Sequence, residues 1–178
     1  MTTSQPSSDQ ILAATVDNCT MVAVIGRATF KLAPSFRQAT QAARLAGSSM
    51  IVADMASCTT MDSTFMGTLA AQGFAANKPE GTPFVLINLA PNTDRLLKGL
   101  GVDRILNAYP AGSLPENLGD LSRLVDELRP VEAAPHGERE MAAMMFDAHE
   151  TLTRVDPENI QRFKDVLSFL RKDLDRRK

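Results

Sequence analysis

The sequence predicts an α/β fold: a mixed β-sheet that opens with a hairpin, followed by a C-terminal helical extension. Three observations predict it. Two apolar runs, Ile11 to Val16 and Met21 to Ile25, flank a polar interval of turn residues, Asp17-Asn18-Cys19-Thr20. After them, short β-branched runs alternate with helix-period segments, which indicates parallel strands joined by right-handed crossovers. Beyond Pro130-Val131-Glu132-Ala133-Ala134-Pro135, apolar residues recur only at helical spacing. The expected order is β-β-α-β-α-β-α-β-α, with two more helices in the tail.

Residues 1–10 read as a disordered lead-in with no basic start or apolar centre, so no secretory signal is expected. Strands 11–16 and 21–25 form the hairpin, and Gly26-Arg27-Ala28-Thr29 ends the second. Pro34 suits the first turn of a helix carrying Phe36, Ala39 and Ala43, which Gly47 would cap. Met50-Ile51-Val52-Ala53 is a strand buried on both faces. Ser57-Cys58-Thr59-Thr60 reads as a polar turn. Asp62, Ser63 and Thr64 then precede Phe65, Met66, Leu69, Ala70 and Phe74. Their side-chain oxygens can accept from first-turn N–H groups, which marks a helix start.

Lys78-Pro79-Glu80-Gly81 is a turn, and Phe84-Val85-Leu86-Ile87 is another buried strand. A helix begins at Asn92, Thr93 or Asp94 and stops near Gly99 or Gly101. A short strand is expected around Arg104-Ile105-Leu106. Leu118, Leu121, Leu124, Val125 and Leu128 describe a further helical face. The predicted organisation is a domain over 10–128, a linker over 129–136, and a two-helix extension over 137–178. In that extension Met141, Met144, Met145, Ala148 and Leu152 share one face. Ile160, Phe163, Leu167, Leu170 and Leu174 form a seam at heptad spacing. The residues leave two readings open: the tail helices fold onto each other or the domain, or they dimerise or dock a partner.

Composition narrows the function. Hydrophobic residues make up 44% of the 178, enough for a core, and the net charge of −2 offers no basic field for nucleic acid. Cys19 and Cys58 have no metal or redox spacing, and the two histidines, His136 and His149, lie beyond the linker. Neither a metal nor a cofactor is indicated. No apolar run approaches membrane-spanning length, and a cytoplasmic location follows by default. A nucleophilic serine needs a base and an orienting group, and no sequence feature brings a histidine to Ser63, so an enzyme is not expected. Without GxGxxG or GxxxxGK[ST], nucleotide cradles are not indicated.

Ser63 at the helix start could simply cap the helix. It could also carry a phosphate, because the first turn stabilises anionic groups.

The segment Met61-Asp62-Ser63-Thr64-Phe65-Met66-Gly67, with the order of elements, resembles the STAS domain of bacterial anti-sigma factor antagonists. Ile25-Gly26-Arg27, Ala33-Pro34, the strand ending at Asp54 and Leu100-Gly101-Val102-Asp103-Arg104-Ile105 support the resemblance, which spans about residues 10–128. It implies a STAS-like sheet with helices packed mainly on one face. It also implies that Ser63 is phosphorylated by a partner anti-sigma factor of the serine-kinase type, with Thr64 the secondary candidate. Unmodified, such a protein binds the anti-sigma factor and releases a sigma factor; modified, it dissociates, and a metal-dependent serine phosphatase resets it. Asp62, Ser63, Thr64, Phe65 and Met66 would form the partner contact. The family glycine two residues after the serine is Phe65 here, the leucine is Met66, and Gly67 is kept. A second implied role is a non-switching STAS adaptor, similar to the small subunit of lipid-transport ABC systems. There the same helix would dock on an ATPase.

Overall fold

The structure is a computed structural model that describes residues 8–178. Most of the expected lead-in, residues 1–7, lies outside the described residues. Strands β1 (Gln10–Val16) and β2 (Cys19–Ala28) form the expected hairpin. Its turn is two residues, Asp17 and Asn18, both at positive φ (49° and 65°), so the backbone twist of the turn matches that of the strands. Helix α1 (Ala33–Leu45) follows, with Pro34 in its first turn, and then β3 (Met50–Asp54) pairs parallel with β2.

The remaining elements are β4 (Cys58–Met61), α2 (Ser63–Ala76), β5 (Phe84–Leu89), α3 (Pro91–Gly99), β6 (Asn107–Pro110), α4 (Ser122–Asp126), β7 (Arg129–Pro130), α5 (Glu138–Val155) and α6 (Glu158–Arg176). The seven-stranded sheet runs β6-β5-β3-β2-β1-β7, and β4 pairs with the far end of β2. Contacts from β2 through β6 are parallel, while β1 pairs antiparallel with both neighbours. The sheet is therefore mixed.

Alternate residues of the central strands serve two cores. Val22, Val24, Ile51, Ala53, Phe84 and Leu86 face the main core, which takes Phe36 from α1, Phe65 and Leu69 from α2 and Leu97 from α3. Met21, Val52, Val85 and Ile87 face a smaller core closed by Leu124 of α4, with Leu118, Leu121 and Leu128 around it.

Four local expectations need correction. Cys58–Met61 is a strand, not a turn: Cys58 and Met61 point inward and Thr59 outward. It is visible only because β2 runs on past Gly26 and offers Gly26, Arg27 and Ala28 as partners. The last parallel strand lies at Asn107–Pro110 rather than around Ile105. Gly101, at φ +74°, instead starts a 3-10 turn over Val102–Arg104 that buries Val102. The apolar face from Leu118 to Leu128 is not one helix. Gly119, at φ +64°, separates a 3-10 turn at Glu116–Leu118 from the short α4. Finally, Arg129 and Pro130, read as linker, pair with β1 at the sheet edge.

The tail folds back. Helix α5 packs along α2, and α6 packs on α5. Met144, Ala148 and Leu152 of the predicted stripe are buried, as is Leu170 of the seam, whereas Ile160 stays exposed.

Candidate functional site

The site forms where α2 begins. Asp62, not Ser63, caps the helix: its Oδ1 accepts from the Phe65 N–H at 2.8 Å. Its Oδ2 accepts from the Phe30 N–H, also at 2.8 Å, and its own N–H donates to the Ala28 carbonyl at 3.0 Å. One aspartate, through its carboxylate and its backbone N–H, thus ties together the end of β2, the loop before α1 and the first turn of α2. Its charge also lies at the helix end where negative charge is favourable.

That capping leaves Ser63 as the first helical residue with its hydroxyl free for another partner, and the partner is His149 of α5. Ser63 Oγ lies 2.9 Å from His149 Nε2. The other ring nitrogen, Nδ1, is 2.7 Å from the Met145 carbonyl oxygen, which can only accept. Nδ1 therefore carries a proton, and in the neutral ring Nε2 accepts from the serine hydroxyl. The ring also meets the edge of Phe163 on α6, with centroids 5.1 Å apart. His149 is 4% exposed and Ser63 is half-buried.

The sequence separates these two residues by 86 positions. No sequence feature brings a histidine to Ser63, and it is the fold of the tail that does so. The signal that could have found it is the composition of α2. Ser63–Ala76 contains no charged residue, so the helix needs cover on more than its sheet-facing side. The arrangement is a serine–imidazole pair whose imidazole is enclosed between helices. His136 sits elsewhere, on an open groove between α1 and α5.

The other expected contact residues point inward. Phe65 is fully buried, its ring edge-on to Phe36 at 5.1 Å, so the residue in place of the family glycine belongs to the core rather than the surface. Thr64 and Met66 are buried as well. Gly67 is buried for a different reason: a Cβ there would lie 2.6 Å from the Ala148 carbonyl carbon and closer still to its oxygen. Glycine allows α5 to approach the α2 backbone at that point. Further along, the Arg154 guanidinium lies 4.6 Å over the Phe74 ring.

The thiols play no part in this site. Burial pushes the Cys58 thiol up to about 11, which keeps it protonated and unreactive near neutral pH. Among the described residues, no group of three or more His, Cys, Asp or Glu side chains is placed to hold a metal ion. No helix among them is long and apolar enough to cross a membrane.

Comparison with known proteins agrees with this architecture. An anti-sigma factor antagonist from Mycobacterium paratuberculosis is similar in structure, with a TM-score of 0.53 and 24% identity. The match covers 68% of this chain and 98% of that one. The anti-sigma factor antagonist SpoIIAA in its unphosphorylated form gives a TM-score of 0.50 at 16% identity, over 64% of this chain and 96% of its own. At these identities the likeness establishes the fold. No curated protein matches the sequence significantly. The family model described as "Mlab, STAS domain" matches residues 11–107, which end well before the two tail helices. Because that match covers more than half of the sequence and the sheet, helices and capped α2 start are those of the fold, the chain belongs to the STAS domain family.

Proposed function

We propose that this chain is a protein-interaction module of the anti-sigma factor antagonist kind, working in the cytoplasm, with its contact surface at the start of α2. Unmodified, it binds an anti-sigma factor of the serine-kinase type and so releases a sigma factor. Phosphorylation of Ser63 ends that contact, and a metal-dependent serine phosphatase restores it. The module binds rather than catalyses.

The observation that carries this reading is the geometry of the first turn. Asp62 takes over the capping, which leaves the Ser63 hydroxyl at the positive end of α2 free of that role and bonded only to the His149 side chain. A phosphate adds a charge of about −1.5 to −2 and three acceptor oxygens. It would sit beside the Asp62 carboxylate and at the edge of an uncharged helix, where an apolar partner surface would reject it. The inward position of Phe65 supports the same reading, since that ring does not obstruct approach to the serine.

The test is intact mass with and without phosphatase on protein purified from its own host, then binding of Ser63→Asp and Ser63→Ala to a co-purifying kinase-like partner. Weaker binding by Ser63→Asp, with Ser63→Ala retained but refractory to phosphate, is the expected outcome. Equal affinities would overturn the switch.

One observation favours a second reading. The Ser63 hydroxyl is already engaged by a buried imidazole, which suits a packing role in a non-switching STAS adaptor. Such an adaptor would serve a larger assembly, for example a lipid-transport ABC system. Co-purification with an ABC ATPase and unphosphorylated Ser63 under all growth conditions would select it.

A further inference from the structure

The outer face of α2 is covered by the chain's own tail, which adds Met144 and Leu152 to the main core and a few polar contacts of its own. From Ser63 to Ala76 no residue is charged, and Thr68 and Gln72 are buried alongside Gly67. An uncharged helix cannot leave a full face in water without cost. The cover comes from α5, which crosses at Gly67 with the Ala148 backbone close against it. The same helix places His149 on Ser63 and Arg154 on Phe74. Three contacts thus specify what fits there: a small residue at the crossing, a hydrogen-bond acceptor toward Ser63 and a cation toward Phe74.

The cover is an addition to the fold. Solved STAS chains match over 98% and 96% of their own length while using only 68% and 64% of this chain. The family model ends at residue 107. The tail is joined to the sheet through residues 131–137, which form no helix or strand.

We propose that the outer face of α2 is a helix-binding site, that α5 is its resident, displaceable occupant, and that an external partner binds by presenting a helix of the same chemistry. This rests on the reading of α2 as the partner surface, and it adds that the surface is closed in the free protein. Access to Ser63 and docking of α5 are then mutually exclusive, because His149 holds the hydroxyl that a kinase must reach.

The test uses the full chain and a fluorescent peptide of residues 131–178 with its native sequence. Ala148→Glu places a charge at the buried crossing and should release the resident tail while leaving α2 unaltered. That variant should bind the peptide at least about tenfold more tightly than the wild-type chain, whose site is occupied by its own tethered helix. Adding Gly67→Ala to Ala148→Glu should abolish peptide binding, because the new methyl group blocks the crossing on the α2 side. Equal peptide binding by wild type and Ala148→Glu would overturn the proposal. So would cooperative loss of the sheet in Ala148→Glu, monitored by circular dichroism, because the tail would then be part of the core. The readout needs no anti-sigma factor, so a missing partner of that kind would sink the functional reading while leaving this result intact.

Discussion

The two faces of α2 are held in different ways. Its inner face is held by large, enclosed side chains: Phe65 and Leu69 are fully buried, and Phe65 meets Phe36, which in turn meets Phe84 edge-on at 6.4 Å. Its outer face is held by close backbone approach at Gly67, burial of the aliphatic Met144 and Leu152 of α5, one serine–imidazole hydrogen bond and one cation–ring contact. Large interlocking rings lose most of their attraction once separated by small distances, so the inner contact has a single workable geometry. A small-residue crossing with flexible aliphatic side chains and a few polar contacts can be undone and remade by another helix that offers the same groups. One helix therefore supports both a fixed scaffold and an exchangeable surface.

The largest effect should come from breaking the inner face. Phe65→Ala is expected to cost about 3–5 kcal/mol and lower the denaturant midpoint of the whole chain, as aromatic truncations in packed cores do. A loss confined to the tail, read by hydrogen exchange, would contradict the assignment of Phe65 to the scaffold. The outer assembly should yield next. Asn159 is buried, and its amide donates to the Leu100 carbonyl at 3.0 Å and the Leu152 carbonyl at 2.8 Å, bridging the end of α3 to the α5–α6 pair. Asn159→Ala should cost about 1–3 kcal/mol. The faster amide exchange should appear in α5 and α6 and spare the central strands.

A smaller effect is expected from the serine–imidazole pair. A double-mutant cycle over Ser63→Ala and His149→Ala should give a coupling of about 0.5–1.5 kcal/mol in tail docking. Zero coupling would mean that the two side chains do not stabilise each other. The smallest effect concerns acid. The Glu158 N–H, and then the Arg104 guanidinium at 2.7 Å, hold the Asp156 carboxyl below the usual carboxylate range. A carboxyl whose folded-state pKa is depressed stabilises fully above its unfolded value, near 4, and loses that contribution as pH falls through the folded value. The α5–α6 corner should loosen below about pH 4. Asp156→Asn should remove that acid step, which exchange or tail-reporting fluorescence would detect.

Local chemistry made much of this legible in the sequence. The hairpin, the Pro34 helix, the buried strands at 50–54 and 84–89, and the Asp62-Ser63 helix start depend on nearest-neighbour patterns. What escaped depends on distant partners. Residues Cys58–Met61 make a strand only beside the end of β2, and Asn107–Pro110 only beside β5. Phe65 could be assigned a direction only once Phe36 was placed against it. The Ser63–His149 contact needs the tail to turn back after Pro130 so that α5 lies on α2. The stripe of Met144, Ala148 and Leu152 announced that α5 had something to cover, but nothing along the chain named α2 as its counterpart.

The pairing of Arg129 and Pro130 with β1 anchors the tail close to where it docks, leaving only residues 131–137 between anchor and α5. A tether that short keeps its helix at a local concentration on the order of millimolar. Any outside helix competes against that figure rather than against an empty surface. If the resident is seated 99 times in 100, a competitor's apparent dissociation constant rises about a hundredfold over its intrinsic one. The length of one loop thereby sets a concentration threshold, below which a partner of moderate strength is ignored and above which it is admitted.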